Sequence, residues 1–394
     1  MKTKNSVYGL RPGLCRAYAG LLLMMAIVFS CTDLPSDSNP GAAGVMQEWH
    51  QYGEMDKQHA QGRKHFFVSP GESIQQAVDL AGEGGIIHIH PGIYAEGVTV
   101  TQPNVRIMGM NGPGGERVVI RNPGGVNNGI NVRHGAHNFS LSNVVVEDFD
   151  RNGVFLIGVD GFDIRHVTAV NNGAYGIYPV MSSGGTVSHC TASGSDDAGF
   201  YVGQARDIRF THNVAFGNVI GIEASNSNDI LLANNTLHGN SAGILAALLP
   251  GRTIKEANRI TIRNNVVRDN NLPNFAAGGL AAGVPAGSGI LAVGIDHSLI
   301  THNRVTGNEF LGIALGSSLA LAVLAGIPPD AFADIEPNPD YNRIASNHVT
   351  GNGFKQPALP FPATDLLWDG SGGGNCWERN VFSTSFPSQL PGCK

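Results

Sequence analysis

Four residues recur at one interval and combine aromatic faces with a carboxylate: Phe155, Tyr178, Tyr201 and Glu223, with steps of 23, 23 and 22. Each stands two positions after a glycine (Gly153, Gly176, Gly199, Gly221) in a short alternating run. A period of two then puts the four side chains on one outward face of successive strands. Three stacked aromatics and an acid suit a sugar chain, because pyranose rings offer apolar faces to aromatics and hydroxyls to polar neighbours. The same row also reads as a ladder that steadies a parallel sheet with no ligand. Asp196 and Asp197 precede Gly199 at the turn into that face. They read either as groups for acid or metal work or as caps on turn N–H groups.

A second series lies thirteen residues after its glycines: His166, His189, His212, Asn234 and His302, with Asn264 and Asn347 in the same role where insertions change the count. Stacked coils about 4.8 Å apart set equivalent imidazoles parallel, a poor arrangement for converging nitrogens on one ion. Because Asn replaces His down the series, it reads as turn-supporting hydrogen bonding.

The element that positions both series is a repeat. A glycine followed by an apolar residue recurs at Gly129, Gly153, Gly176, Gly199, Gly221, Gly243, Gly289 and Gly312, in steps of 24, 23, 23, 22, 22, 46 and 23. The step of 46 reads as two coils, one without the anchor. Each repeat holds two or three short strands that cannot bury their apolar face alone, so the units must stack into a solenoid with a continuous core. Ser73 to Ala81 has apolar residues at helical spacing and reads as a plug for the open end. Gly85 to Tyr94 reads as the first coil, and Asp365 to Lys394, with Trp368 and Trp377, as the C-terminal cap. Phe275–Gly287 and Ser317–Tyr341 interrupt the coils, the latter with an apolar stretch that reads as a small helix packed on the solenoid.

Composition agrees with a turn-rich β protein: 53 of 394 residues are Gly and only 14% are charged. The net charge of −6, with no basic cluster beside exposed aromatics, argues against a nucleic-acid partner. Lys2, Lys4, Arg11 and Arg16 precede an apolar run from Ala19 to Phe29, too short to span a bilayer and suited to a signal peptide over 1–30. Val28-Phe29-Ser30-Cys31 resembles a bacterial lipobox, which implies lipidation at Cys31 and export to the cell envelope, at the outer membrane or cell surface. The alternative is plain secretion with Cys31 a free thiol. Residues 31–64 read as a polar tether and 65–394 as the folded domain, a monomer that meets the membrane through its lipid only. In an oxidising compartment Cys376 and Cys393 are expected to close a 17-residue loop, stabilising the end by about 3 kcal/mol. Cys190, inside a repeat, reads as a small buried hydrophobe.

The Gly-Ile and Asn-Asn repeat, with the plug followed by His90-Pro91-Gly92-Ile93-Tyr94, resembles the right-handed parallel β-helix superfamily, which includes pectate lyases, alginate lyases and mannuronan C5-epimerases. Tyr175-Gly176-Ile177-Tyr178-Pro179, Ala198 to Gln204, Asn271 to Phe275 and Val284 to Gly289 are similar to exported bacterial β-helix lipoproteins of unsettled activity. The resemblance implies an all-β solenoid of about ten coils of roughly 23 residues. Catalysis in such lyases and epimerases needs a uronate carboxylate neutralised, by Ca²⁺, Arg or a protonated group, and a base for the C5 proton. That implies Asp196, Asp197 and Glu223 for metal or acid work, Tyr178 or Tyr201 as base or acid, and Arg206 or Arg209 facing the carboxylate. The epimerases' Asp-Pro-His-Asp is answered here only by Tyr178-Pro179-Val180-Met181, so their catalytic roles do not transfer to these positions. Two functions follow as expectations: an envelope protein that binds, and by lyase or epimerase chemistry modifies, an acidic polysaccharide; or a non-catalytic surface scaffold.

Overall fold

A computed structural model describes residues 64–394. The signal peptide, Cys31 and all of the tether but Lys64 lie outside the described residues. Each coil contributes a strand to three parallel sheets of 11, 12 and 11 strands. The first sheet runs from Val98–Val100 to Ser385–Phe386 and carries the glycine anchors; the second runs from His65–Val68 to Cys376–Glu378, and the third from Gly92–Tyr94 to Val381–Phe382. Alternate residues fill the interior, among them Ile130, Val154, Ile177, Phe200, Ile222, Ile244, Ile290 and Ile313, each following its glycine.

The glycine itself is required by how closely coils stack. A Cβ on Gly176 would meet the Gly199 carbonyl oxygen at 2.5 Å, and one on Gly243 the Gly289 oxygen at 2.7 Å. That same pairing corrects the coil count. The strand Ala242–Ala247 pairs directly with Ser288–Val293, Ile244 against Ile290. The step of 46 is therefore one coil enlarged by loops, not two.

The polar ladders also differ from the reading. His166, His189, His212, Asn234, Asn264 and His302 share a left-handed turn conformation, but at the next coil Ser346 holds that place. Asn347 belongs to a buried amide ladder one residue further on, Asn213, Asn235, Asn265, Asn303, Asn347 and Asn380. A parallel ladder runs Asn218, Asn240, Asn270, Asn308 and Asn352 at Nδ2···Oδ1 distances of 2.9–3.1 Å. An amide both donates and accepts, so it can propagate such a chain; a carboxylate only accepts and ends it. Asp365 is that end, taking the N–H and Nδ2 of Asn352 on one oxygen and the N–H groups of Ser383 and Thr384 on the other.

Helix α1 (Ile74–Ala81) plugs the first coil, with Ser73 as N-cap and Glu96 accepting from the N–H groups of Ile74 and Gln75. Cys376 and Cys393 form a disulfide at the other end, and Cys190 is buried, its thiol pushed up to about 12 by burial. The second insertion contains helix α2 (Ser318–Ala325), which packs on the 3-10 turn Leu280–Gly283 of the first. With Leu359 and Phe361 from a third loop, these segments cover the C-terminal half of the first sheet and share an apolar cluster with Leu245, Leu291, Ala314 and Leu367.

Candidate active site

The outward row of the first sheet is continuous: Asn131, Phe155, Tyr178, Tyr201, Glu223 and Leu245 follow one another in register. Phe155 and Tyr178 have ring centroids 5.2 Å apart, and Tyr178 meets Tyr201 edge-on at 4.7 Å. Tyr201 lies over Gly203, where a Cβ would come within 2.3 Å of its ring. The face is less open than an outward row implies. Phe155 and Tyr178 are half-buried, while Tyr201 and Glu223 are only 6% and 5% exposed, at the rim of the covered half.

Tyr175, not singled out from the sequence, completes the group. It stands at the first position of its strand, aligned with Asn152 and Ala198, and its ring lies 4.4 Å from Tyr178 and 4.9 Å from Tyr201. Its hydroxyl donates to Asp197 Oδ2 at 2.8 Å. Asp197 Oδ1 is buried with no hydrogen-bond partner in the protein, as are Oδ1 of Asn131 and of Asn152 on the preceding coils. Ser225 donates to Glu223 Oε1 at 2.6 Å. The signal for Tyr175 was present, since aligning coils on their glycines exposes its column. Arg252 sits in a loop outside the repeat and left no such signal.

Burial dominates the electrostatics. It raises the Asp197 carboxyl out of the ordinary carboxylate range, against the Tyr175 hydrogen bond and the Arg252 charge. Glu223 is raised further, by burial and then by the Asp197 charge, against the Ser225 hydrogen bond and Arg252. Tyr178 is pushed up to about 12 by burial, opposed by Arg252 and Arg151, and burial raises Tyr201 and Tyr175 well above the ordinary phenol value too. All three hydroxyls therefore stay protonated at neutral pH. The base role read for Tyr178 or Tyr201 does not suit them.

The remaining expected residues are elsewhere. Asp196 is exposed next to Asp197, which is turned onto Tyr175, so the two do not act as a ligand pair. Among the described residues no three His, Cys, Asp or Glu side chains converge to hold a metal ion. Arg206 and Arg209 lie on Arg206–Thr211 of the second sheet, exposed, and do not share the tyrosines' sheet. Arg151 and Arg252, both exposed, are the cations whose field reaches Tyr178.

Residues 92–249 match the family model described as a right handed beta helix region. No curated protein matches the sequence. Among solved structures, the chain is similar to the Azotobacter vinelandii mannuronan C-5 epimerase AlgE4 A-module, at 18% identity and a TM-score of 0.56, over 79% of this chain and 92% of that one. It is also similar to the catalytic domain of a GH87 α-1,3-glucanase in complex with nigerose, at 14% and 0.52, over 84% and 67%. A third is a point mutant of DFA-IIIase from Arthrobacter chlorophenolicus A6, at 12% and 0.50, over 76% and 86%. Identities this low establish shared architecture, and coil geometry, sheet topology and sequence match agree on it: residues 64–394 are a right-handed parallel β-helix.

Proposed function

We propose that this chain binds an acidic polysaccharide along the Phe155/Tyr178 edge of the first sheet and modifies it by acid–base chemistry centred on Asp197. The observation that carries the reading is the Asp197 carboxyl: raised toward neutral pH, oriented by Tyr175, and with Oδ1 unpartnered. A carboxyl that titrates near working pH is suited to proton transfer. In a lyase, the Asp197 carboxylate takes the C5 proton, the electron pair forms the C4=C5 bond, the C4–O4 bond breaks, and the Tyr178 hydroxyl protonates the leaving oxygen. In an epimerase Asp197 keeps the proton it has taken and the Tyr178 hydroxyl gives another to C5 from the other face. Arg151 and Arg252, rather than Arg206 and Arg209, neutralise the uronate carboxylate. Glu223, buried, is a positioning residue behind Tyr201 and Ser225. Neighbours of the same fold named for mannuronan and α-1,3-glucan support a saccharide substrate.

A specific observation favours the scaffold reading as well: the three tyrosines pack on one another. Calorimetry and ultraviolet absorbance with alginate, pectate and other uronates, with and without Ca²⁺, separate the two. Binding heat that is lost in Tyr178→Ala, and absorbance from unsaturated ends that is lost in Asp197→Asn, is the expected result. Silence across the panel leaves the scaffold. Export and lipidation at Cys31 belong to the same proposal, and Cys31→Ala is expected to move the protein from the membrane to the soluble fraction.

A further inference from the structure

A second cleft lies where the second sheet turns into the third. There Asn143, His166, His189 and His212 occupy one left-handed turn position per coil, with φ of 58°, 55°, 54° and 58°. The imidazole centroids are 5.3 Å apart from His166 to His189 and 4.9 Å from His189 to His212, the latter pair stacked nearly parallel at 4°. Beside this platform Arg117 reaches across neighbouring coils. Its Nη1 donates to Thr168 Oγ1 at 2.9 Å, and its Nη2 to the His166 carbonyl at 3.4 Å. Every acceptor holding this guanidinium is neutral. The adjacent acid, Glu116, is turned back to accept from the Gly114 N–H at 2.9 Å. Among the described residues no carboxylate forms an ion pair with Arg117.

The guanidinium stands at an open cleft of about 520 Å³ lined by Asn111, Arg117, Asn143, His166, Thr168 and His189. Asn143 donates to Asn111 Oδ1 at 2.9 Å and to the Gly109 carbonyl at 2.7 Å, which fixes that wall before any ligand arrives. Arg117 and Asn111 also border a neighbouring open cleft of about 450 Å³ whose walls include Ile93 and Met110. A fixed fork of donors with uncompensated charge recognises planar or tetrahedral oxyanions. Flat rings and apolar side chains beside it take the faces of a sugar.

We infer that this corner is a second binding site, separate from the tyrosine face, for a saccharide unit bearing a carboxylate or sulfate. The oxyanion part stands on Arg117 alone, and the saccharide part rests on the function proposed above. Calorimetry on the full-length chain with trigalacturonate, neutral maltotriose and inorganic sulfate tests it. Trigalacturonate is expected to show a binding event that Arg117→Gln weakens by about tenfold or more and that Tyr178→Ala leaves intact, with Arg117→Lys restoring part of it. The double variant His166→Asn/His189→Asn keeps the turn, because Asn143, Asn234 and Asn264 already occupy it, and is expected to weaken the same event several-fold. An isotherm unchanged in both Arg117→Gln and the double variant overturns the site. Maltotriose binding as well as trigalacturonate overturns its anionic character, and sulfate binding as well as trigalacturonate overturns its saccharide character. Loss of the Tyr178-dependent event with this one retained would instead count against the function proposed above.

Discussion

Along the first sheet a single outward row passes through two environments. Its N-terminal part, Asn131, Phe155 and Tyr178, is half-buried and polar or aromatic; its C-terminal part, Leu245, Leu291, Ala314 and Leu367, is aliphatic and buried. The register does not change between them, since Glu223 pairs with Leu245, Leu245 with Leu291, Leu291 with Ala314 and Ala314 with Leu367. What changes is the cover. The insertions lie over the second part and leave beneath them a cavity of about 50 Å³ lined by Leu291, Phe310, Ala314, Leu321, Phe361 and Leu367. An outward position on this solenoid thus takes its chemistry from what lies above it, and Tyr201 and Glu223 sit at the boundary.

The comparison breaks most readily at Leu291. Leu291→Asp places a carboxylate with no partner beneath the cover and is expected to cost several kcal/mol, about 3–5, whereas Phe155→Asp in the open part is expected to cost about 1 kcal/mol or less. Denaturant unfolding of both variants checks this. Equal losses would mean that the two parts are not distinguished by cover. The inward side supplies the control, because coil stacking is the same in both parts. Gly176→Ala and Gly243→Ala each force a Cβ against a carbonyl of the next coil. Each is expected to cost about 1–3 kcal/mol, Gly243→Ala the more because its Cβ also meets Val267 Cγ1 at 2.3 Å where that of Gly176 meets Ala192 Cβ at 3.0 Å; a smaller loss at Gly243 would show that the covered coils yield more easily.

Glu223 sharpens the boundary through pH. Its carboxyl is raised above the ordinary value of 4.5 chiefly by burial. Above that pH the unfolded chain has lost a proton which the folded chain still holds, so stability is full below it and falls as pH rises through the folded value. Asp197 contributes with the same sign. Glu223→Gln cannot ionise and is expected to be the more stable form at about pH 8.5, by about 1 kcal/mol or more, and to match the parent near pH 4. Melting curves at the two pH values decide it; a parent that gains stability as pH rises would show that Glu223 is held charged and paired instead.

How far the sequence disclosed this depended on the range of each interaction. The glycine anchors, the alternating strands and the outward row repeat with every coil, so Phe155, Tyr178, Tyr201 and Glu223 were legible as one face. The histidine turns were legible for the same reason, but at Asn347 the column slipped by one, because Ser346 breaks the His/Asn series while the true amide ladder continues beside it. Arg252 and the covering segments belong to loops outside the repeat, and nothing periodic marks where they fold back. That is why the burial of Glu223 and the charge of Arg252 carry no sequence signal, while Arg206 and Arg209 fall in the repeat but on another sheet. Tyr175 lies in a readable column just before its glycine, on the near side of the anchor from Phe155, Tyr178 and Tyr201.

The smallest expected change in stability carries the most functional information. Tyr178→Phe keeps the ring and its contacts with Phe155, Tyr175 and Tyr201, and removes only the hydroxyl. If the open part were only a stacking ladder, this change would leave every property alone, because stacking depends on the rings. If the hydroxyl delivers a proton to a leaving oxygen, turnover is expected to fall by about 10²–10⁴-fold while the stability stays within about 0.5 kcal/mol and ligand affinity moves little. Unsaturated-end formation measured beside a melting curve separates the two cases: a rate unchanged in Tyr178→Phe would remove the acid role and return the aromatic row to the sheet it stabilises.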